Sequence, residues 1–155
     1  MADSKRMRIL TALKARLEEI RPANGYATDA GLRVRLGPGA VTADDRVPRL
    51  ALIPGVEPEI RPQLDKVKIL LPVTVEGVIG ADPQDPDNPL VVEPLLADSK
   101  RALFRSADRT IGGLAINLHV TGERVTGRES GGATVACAVS GLIEYTELYG
   151  DPELA

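Results

Sequence analysis

Tryptophan is absent from this 155-residue sequence, and Tyr26, Phe104, Tyr145 and Tyr149 are its only aromatic residues. So thin a supply disfavours the stacking platforms that hold single-stranded nucleic acid, and it leaves the core to aliphatic side chains. Cys137 is the single cysteine. One thiol excludes an intramolecular disulfide and a multi-cysteine zinc site, and it fits a reducing compartment. His119 is likewise the only imidazole, with no second histidine to share a metal. No stretch approaches the roughly 20 apolar residues of a membrane span, and the opening MADSKRMRILTALKARL has no apolar run of signal-peptide length. The expectation is a protein made and used in the cytosol.

What is present reads as one globular α+β domain over residues 1–155. Hydrophobic residues make up 43% and charged residues 26%, well away from the composition of a disordered chain. The formal net charge of -3 withholds the positive excess that phosphate backbones reward, so no specific nucleic-acid binding is expected. That sum hides an asymmetry: residues 1–21 carry +3, which leaves -6 on residues 22–155. A basic end on an acidic body is a solvated helix face or a surface that meets an unlike partner.

The order of elements follows from hydrophobic period. Ile9, Leu10, Leu13, Leu17 and Ile20 form one helical stripe over residues 4–20, with Asp3 or Ser4 as cap and Pro22 just past the end. LRVRL at 32–36 alternates, with Arg33 and Arg35 opposite Leu32, Val34 and Leu36. RLALI at 49–53 is a second short strand, and Val56 to Ile60 offers a further edge strand. From Lys66 to Gly80, Val67, Ile69, Leu71, Val73, Val75, Gly77 and Ile79 take every second position, the strongest strand signal in the chain. Pro72 lacks the ladder donor, so a bulge or an edge is expected there.

Asn88 and Pro89 then read as the entry to a second helix with Leu95, Leu96, Ser99, Ala102 and Leu103 buried. Pro94 leaves open a start near Glu93 or a kink. Residues 114–125 and 133–146 alternate again and should pair as an antiparallel hairpin, and the tail after Tyr145 is expected to fray. The class is α+β, a mainly antiparallel sheet with two helices against it, in the order α-β-β-(β)-β-α-β-β.

Catalytic chemistry finds little footing. Cys137 lies among alanines in an apolar strand with no base beside it, and His119 reads as a surface or structural histidine. Asp82, Asp85 and Asp87 alternate with prolines that break the calcium-loop pattern. The runs GPG, IGG and SGG lack phosphate-loop and dinucleotide spacing and read as turns. Lys100, Arg101, Arg105 and Arg109 are punctuated by Asp98 and Asp108, and the cations at the helix end complement its dipole. The expectation is a non-enzyme without cofactor or metal.

Several linked segments together give the chain a texture of its own: ILTALKARLEEI, RLALIPG, VEGVIGADPQDPD, LLADSKRALFRSADRTIGGLAINLHVTG and YTELYGDP. In that order they resemble the tail terminator, or tail completion, proteins of long-tailed bacteriophages. The resemblance implies a structural virion protein at the head-proximal end of the tail, synthesised in the host cytoplasm. It implies a ring, usually of six copies, that caps the tail tube, stops its polymerisation and offers a surface for head-tail joining. Its partners would be its own copies, the tail tube protein and a head-tail connector or neck protein. A neck or head-closure subunit is the alternative within the virion, and a small ligand-binding domain or enzyme the alternative outside it. Contacts are expected from the 37–48, 54–65 and 122–132 connections, with Asp44, Asp45, Arg46, Glu57, Glu59, Arg61, Arg124, Arg128 and Glu129 as candidate interface residues.

Overall fold

A free amide at a helix start needs an acceptor, and Ser4 supplies it: its hydroxyl accepts from the Met7 N–H at 3.2 Å and opens α1, Lys5–Glu18. The computed structural model describes residues 3–37, 46–82, 84, 88–126 and 133–152. Ile9, Leu10, Leu13 and Leu17 of α1, and Ile20 beyond it, are all buried, as their period requires. Each fully buried side chain of this size contributes about 1.5–3 kcal/mol by leaving water. Arg16 is buried among them, an outcome the stripe did not foretell. Its Nη1 donates to the Leu103 carbonyl at 3.1 Å, and its Nη2 to the Asp108 carbonyl at 2.8 Å and carboxylate at 2.9 Å.

The second helix, α2, spans Glu93–Leu103 and follows a 3-10 turn over Asn88–Val92. Pro94 falls in its first turn, where no intrahelical donor is needed, so the start near Glu93 is the arrangement found. All five residues of the expected stripe are buried, and so is Asp98. The Asp98 carboxylate accepts from the backbone of Ala27 at 3.2 Å and Thr28 at 2.8 Å, and from the Thr28 hydroxyl at 2.8 Å. It thereby ties the segment after α1 to α2.

Six strands form one sheet: β1 Val34–Leu36, β2 Arg49–Pro54, β3 Glu59–Pro62, β4 Lys66–Gly80, β5 Asn117–Thr126 and β6 Thr134–Leu148. The order is β1-β2-β4-β6-β5, antiparallel except that β1 runs parallel to β2. The class is therefore α+β, and the last two strands form the expected hairpin. Residues 30–32 make a 3-10 turn rather than strand, so β1 is shorter than the LRVRL alternation and Leu32 stays exposed.

β2 and β3 lie end to end along the same side of β4, β2 against Val73–Val78 and β3 against Val67–Leu70. The break between them falls at Pro72. Its carbonyl accepts from the Gly55 N–H at 2.7 Å, and because N and O of a strand residue face the same way, its donorless nitrogen points into that break. The irregularity that Pro72 demands is thus taken up by its partner, while β4 itself pairs with β6 without interruption.

Alternation divides the sheet into two faces. Leu50, Leu52, Ile69, Leu71, Val73, Val75, Val135, Cys137, Val139, Ile143 and Tyr145 are buried beneath both helices in one core. The other face carries Lys68, Pro72, Thr74, Glu76, Ser140 and Glu144, and no helix among the described residues covers it. β6 continues past Tyr145 to Leu148, and the Pro152 carbonyl accepts from the Lys5 N–H at 2.9 Å. The tail expected to fray is paired at least to that point.

Candidate interaction surface

The connection over residues 55–65 forms an exposed wing, because β3 has β4 on one side and, among the described residues, no strand on the other. All four of its residues are exposed. Period-2 geometry puts Glu59 and Arg61 on one face, where Arg61 Nε donates to Glu59 Oε1 at 2.7 Å, and this bond holds the guanidinium above its ordinary pKa. Beyond β4 on the same face, Lys68 meets Glu144 of β6 at 3.3 Å. Glu57 is exposed in the break between β2 and β3. The wing also holds Val56, Ile60 and Leu64, whose exposures of 94%, 59% and 100% are high for aliphatic side chains.

Arg124 lies elsewhere, on β5 at the opposite edge of the sheet. With Ile53, Thr74, Glu76, Ala138 and Ser140 it borders a shallow groove of about 390 Å³ on the uncovered face. β5 is exposed from Val120 to Val125 and carries a bulge between Val120 and Gly122, a device that discourages indiscriminate edge pairing. Its Glu123 is tied back to Lys100 of α2 at 2.8 Å.

Arg46 belongs to a third place. Together with Arg33, Arg35 and Arg49, and beside Leu32 and Val34, it lines a cleft of about 510 Å³. The sequence placed Arg33 and Arg35 on one face but gave no sign that Arg46 and Arg49 join them. The signal was divided between two segments that only the parallel β1–β2 pairing brings together.

The candidate residues therefore do not form one site: Glu57, Glu59 and Arg61 share the wing, Arg124 faces the groove, and Arg46 enters the cleft. Asp44, Asp45, Arg128 and Glu129 lie outside the described residues. The cations around α2 serve the fold. Arg101 stacks over the Tyr26 ring at 4.6 Å and donates to the Gly25 carbonyl, Arg105 pairs with Glu19, and Lys100 holds Glu123.

Cys137 is buried on the core face of β6, and burial pushes its thiol up to about 11, which leaves it a poor nucleophile. His119 is half-buried on β5, with its Nδ1 out of reach of any hydrogen-bond partner among the described residues. Among the described residues no group of three His, Cys, Asp or Glu side chains assembles that could hold a metal ion, and no helix is long and apolar enough to cross a membrane. Fold and surface thus define a two-layer α+β protein with one sheet face that no described helix covers, an exposed wing and an arginine cleft. The chain matches no protein-family model and no curated protein.

Proposed function

We propose that this protein is a structural subunit of the phage tail terminator kind. Copies close into a ring on the head-proximal end of a tail tube, end its growth and present a surface for joining the head. The role is one of contact, without turnover. The order of segments in the sequence motivates this reading, and one structural observation supports it most: the wing carries three exposed aliphatic side chains and a Glu59–Arg61 pair on a strand whose outer edge no other described strand pairs. Isolated apolar residues on a surface are ordinary, but exposed Ile60 on β3, with Val56 and Leu64 in the connections on either side and a charged pair on the strand's other face, suits a protein–protein contact. A sheet face that no described helix covers and two different sheet edges also suit head-to-tail association, which closes into a ring when the rotation permits.

The test mixes the purified protein with tail tube protein and measures tube length and end structure by electron microscopy. The expected result is a ring on one end and an arrested length. Ile60→Asp together with Leu64→Asp, both exposed, should leave the circular dichroism spectrum intact and abolish capping. A wild-type protein that stays monomeric beside growing tubes overturns the proposal, and a double variant that caps normally removes the wing from it. Copurification with filled heads in place of tails identifies the neck subunit instead.

A further inference from the structure

We propose that the arginine cleft beside β1 is a binding site for phosphate groups. The inference is independent of ring formation and of the wing. Four arginines, Arg33, Arg35, Arg46 and Arg49, line one cavity of about 510 Å³, and none of the other described lining residues, Leu32 and Val34, is acidic. The volume falls in the range of roughly 300–1,000 Å³ typical of small-molecule sites. Four arginines gathered in one place, Arg33 among them ion-paired with Asp29, are a local exception on a chain whose net charge is -3.

The cluster is built by the backbone. β1 and β2 run parallel with Arg35 beside Ala51 and Val34 beside Leu50, and the Leu50 N–H donates to the Arg33 carbonyl at 2.9 Å. Arg33, one residue before the Val34–Leu50 pair, thus stands level with Arg49, and Arg35 follows two residues on along the same face. The head of Arg33 is steadied further, since its Nη1 donates to the Pro48 carbonyl at 3.2 Å and lies 3.4 Å from Asp29 Oδ1. A partly positioned guanidinium loses less freedom when it grips an anion.

The ligand chemistry follows from the kind of donor. Each guanidinium offers up to five N–H groups in a planar fork, whereas one carboxylate brings a single charge and two oxygens. Phosphate brings three terminal oxygens and up to two charges and accepts bidentate arginine, so linked phosphates match a four-arginine cleft where an isolated acidic side chain does not. Either a free polyphosphate or the backbone of a nucleic acid presents that chemistry. The low overall charge predicts little non-specific binding to nucleic acid, so any such contact would be confined to this cleft.

The experiment titrates the full chain at low salt with inorganic tripolyphosphate, with short duplex DNA and with polyglutamate, and reads heat release and the shift in melting temperature. Tripolyphosphate should bind and raise the melting temperature. Arg35→Gln with Arg46→Gln, both exposed, should weaken it by at least about tenfold, as expected for removing two charge-assisted contacts, while Arg21→Gln with Arg109→Gln, equal in charge change, alters it less than about twofold. Should the first pair fail to fold, Arg46→Gln alone carries the same comparison, because Arg46 lies outside the strands. DNA that competes with tripolyphosphate identifies a nucleic-acid backbone as the source, and tripolyphosphate binding without DNA binding identifies a free ligand. No binding, equal losses in the two variants, or polyglutamate bound as tightly as tripolyphosphate overturns the proposal.

Discussion

The ring of Phe104, at the end of α2, rests against the backbone of Gly141 in β6 so closely that a Cβ on Gly141 would lie 2.9 Å from its Cε1 and Cζ atoms and 3.2 Å from the His119 carbonyl. The absent side chain at 141 lets the one phenylalanine close the core at this end. Gly141→Ala should therefore destabilise the fold by about 1–3 kcal/mol, the usual penalty for forcing an extra methyl into packed surroundings. Adding Phe104→Leu should return part of that loss, since the two sites are coupled. Chemical denaturation of both variants measures it, and strictly additive losses would refute the contact.

Asp98 is a buried acid with a mechanical task. Asp98→Ala deprives the Ala27 and Thr28 amides of their buried acceptor, and losing hydrogen bonds to a carboxylate of this kind costs on the order of 2–4 kcal/mol together. Faster hydrogen exchange over residues 25–32, ahead of global unfolding, is the accompanying signature.

Asp108 predicts a dependence on acid. The Gly112 N–H first, and then the Thr110 hydroxyl and the Arg16 guanidinium, hold its carboxyl below the ordinary value. A depressed carboxylate contributes stability that is present above its unfolded pKa of about 3.9 and is lost as the pH falls through the folded value. Asp108→Asn should accordingly flatten the acid limb of the stability profile and leave its slope near neutrality unchanged. An acid limb as steep as that of the wild type would remove Asp108 from the explanation.

A thiol pushed up to about 11 by burial is almost wholly protonated at neutral pH. Cys137 should resist iodoacetamide in the native protein and react at once in denaturant. Mass spectrometry that finds rapid alkylation of native protein would contradict its place beneath α2.

Elements whose burial repeats along the chain were legible in the sequence. The α1 and Leu95–Leu103 stripes predicted residues that are buried, and the alternation of β4 predicted Ile69, Leu71, Val73, Val75 and Gly77, although Val67 and Ile79 at its ends are half-buried and Leu70 is buried on the opposite face. Interruptions that one strand imposes on another were not. Pro72 announced a missing donor, yet only the pairing shows that β2 and β3 absorb it along one side of β4. Arg16 was hidden for a similar reason, because its partners Leu103 and Asp108 are distant in sequence. Tyr145 looked like the last ordered residue because the tyrosine and charges after it mask the strand, which pairs as far as Leu148 with Lys66. Of the surface residues singled out by charge, Glu59 and Arg61 meet through strand period alone, whereas the arginine cleft needs a parallel pairing that short alternating segments do not specify.

The hydrogen bond between the Lys5 amide and the Pro152 carbonyl brings the two ends of the described chain to one spot. Bridging that spot with a few flexible residues, and cutting the gene instead at the fully exposed turn around Leu64, would yield a circular permutant with the same sheet and new ends at the tip of the wing. A fluorophore or affinity handle placed there would report directly on whatever docks against it.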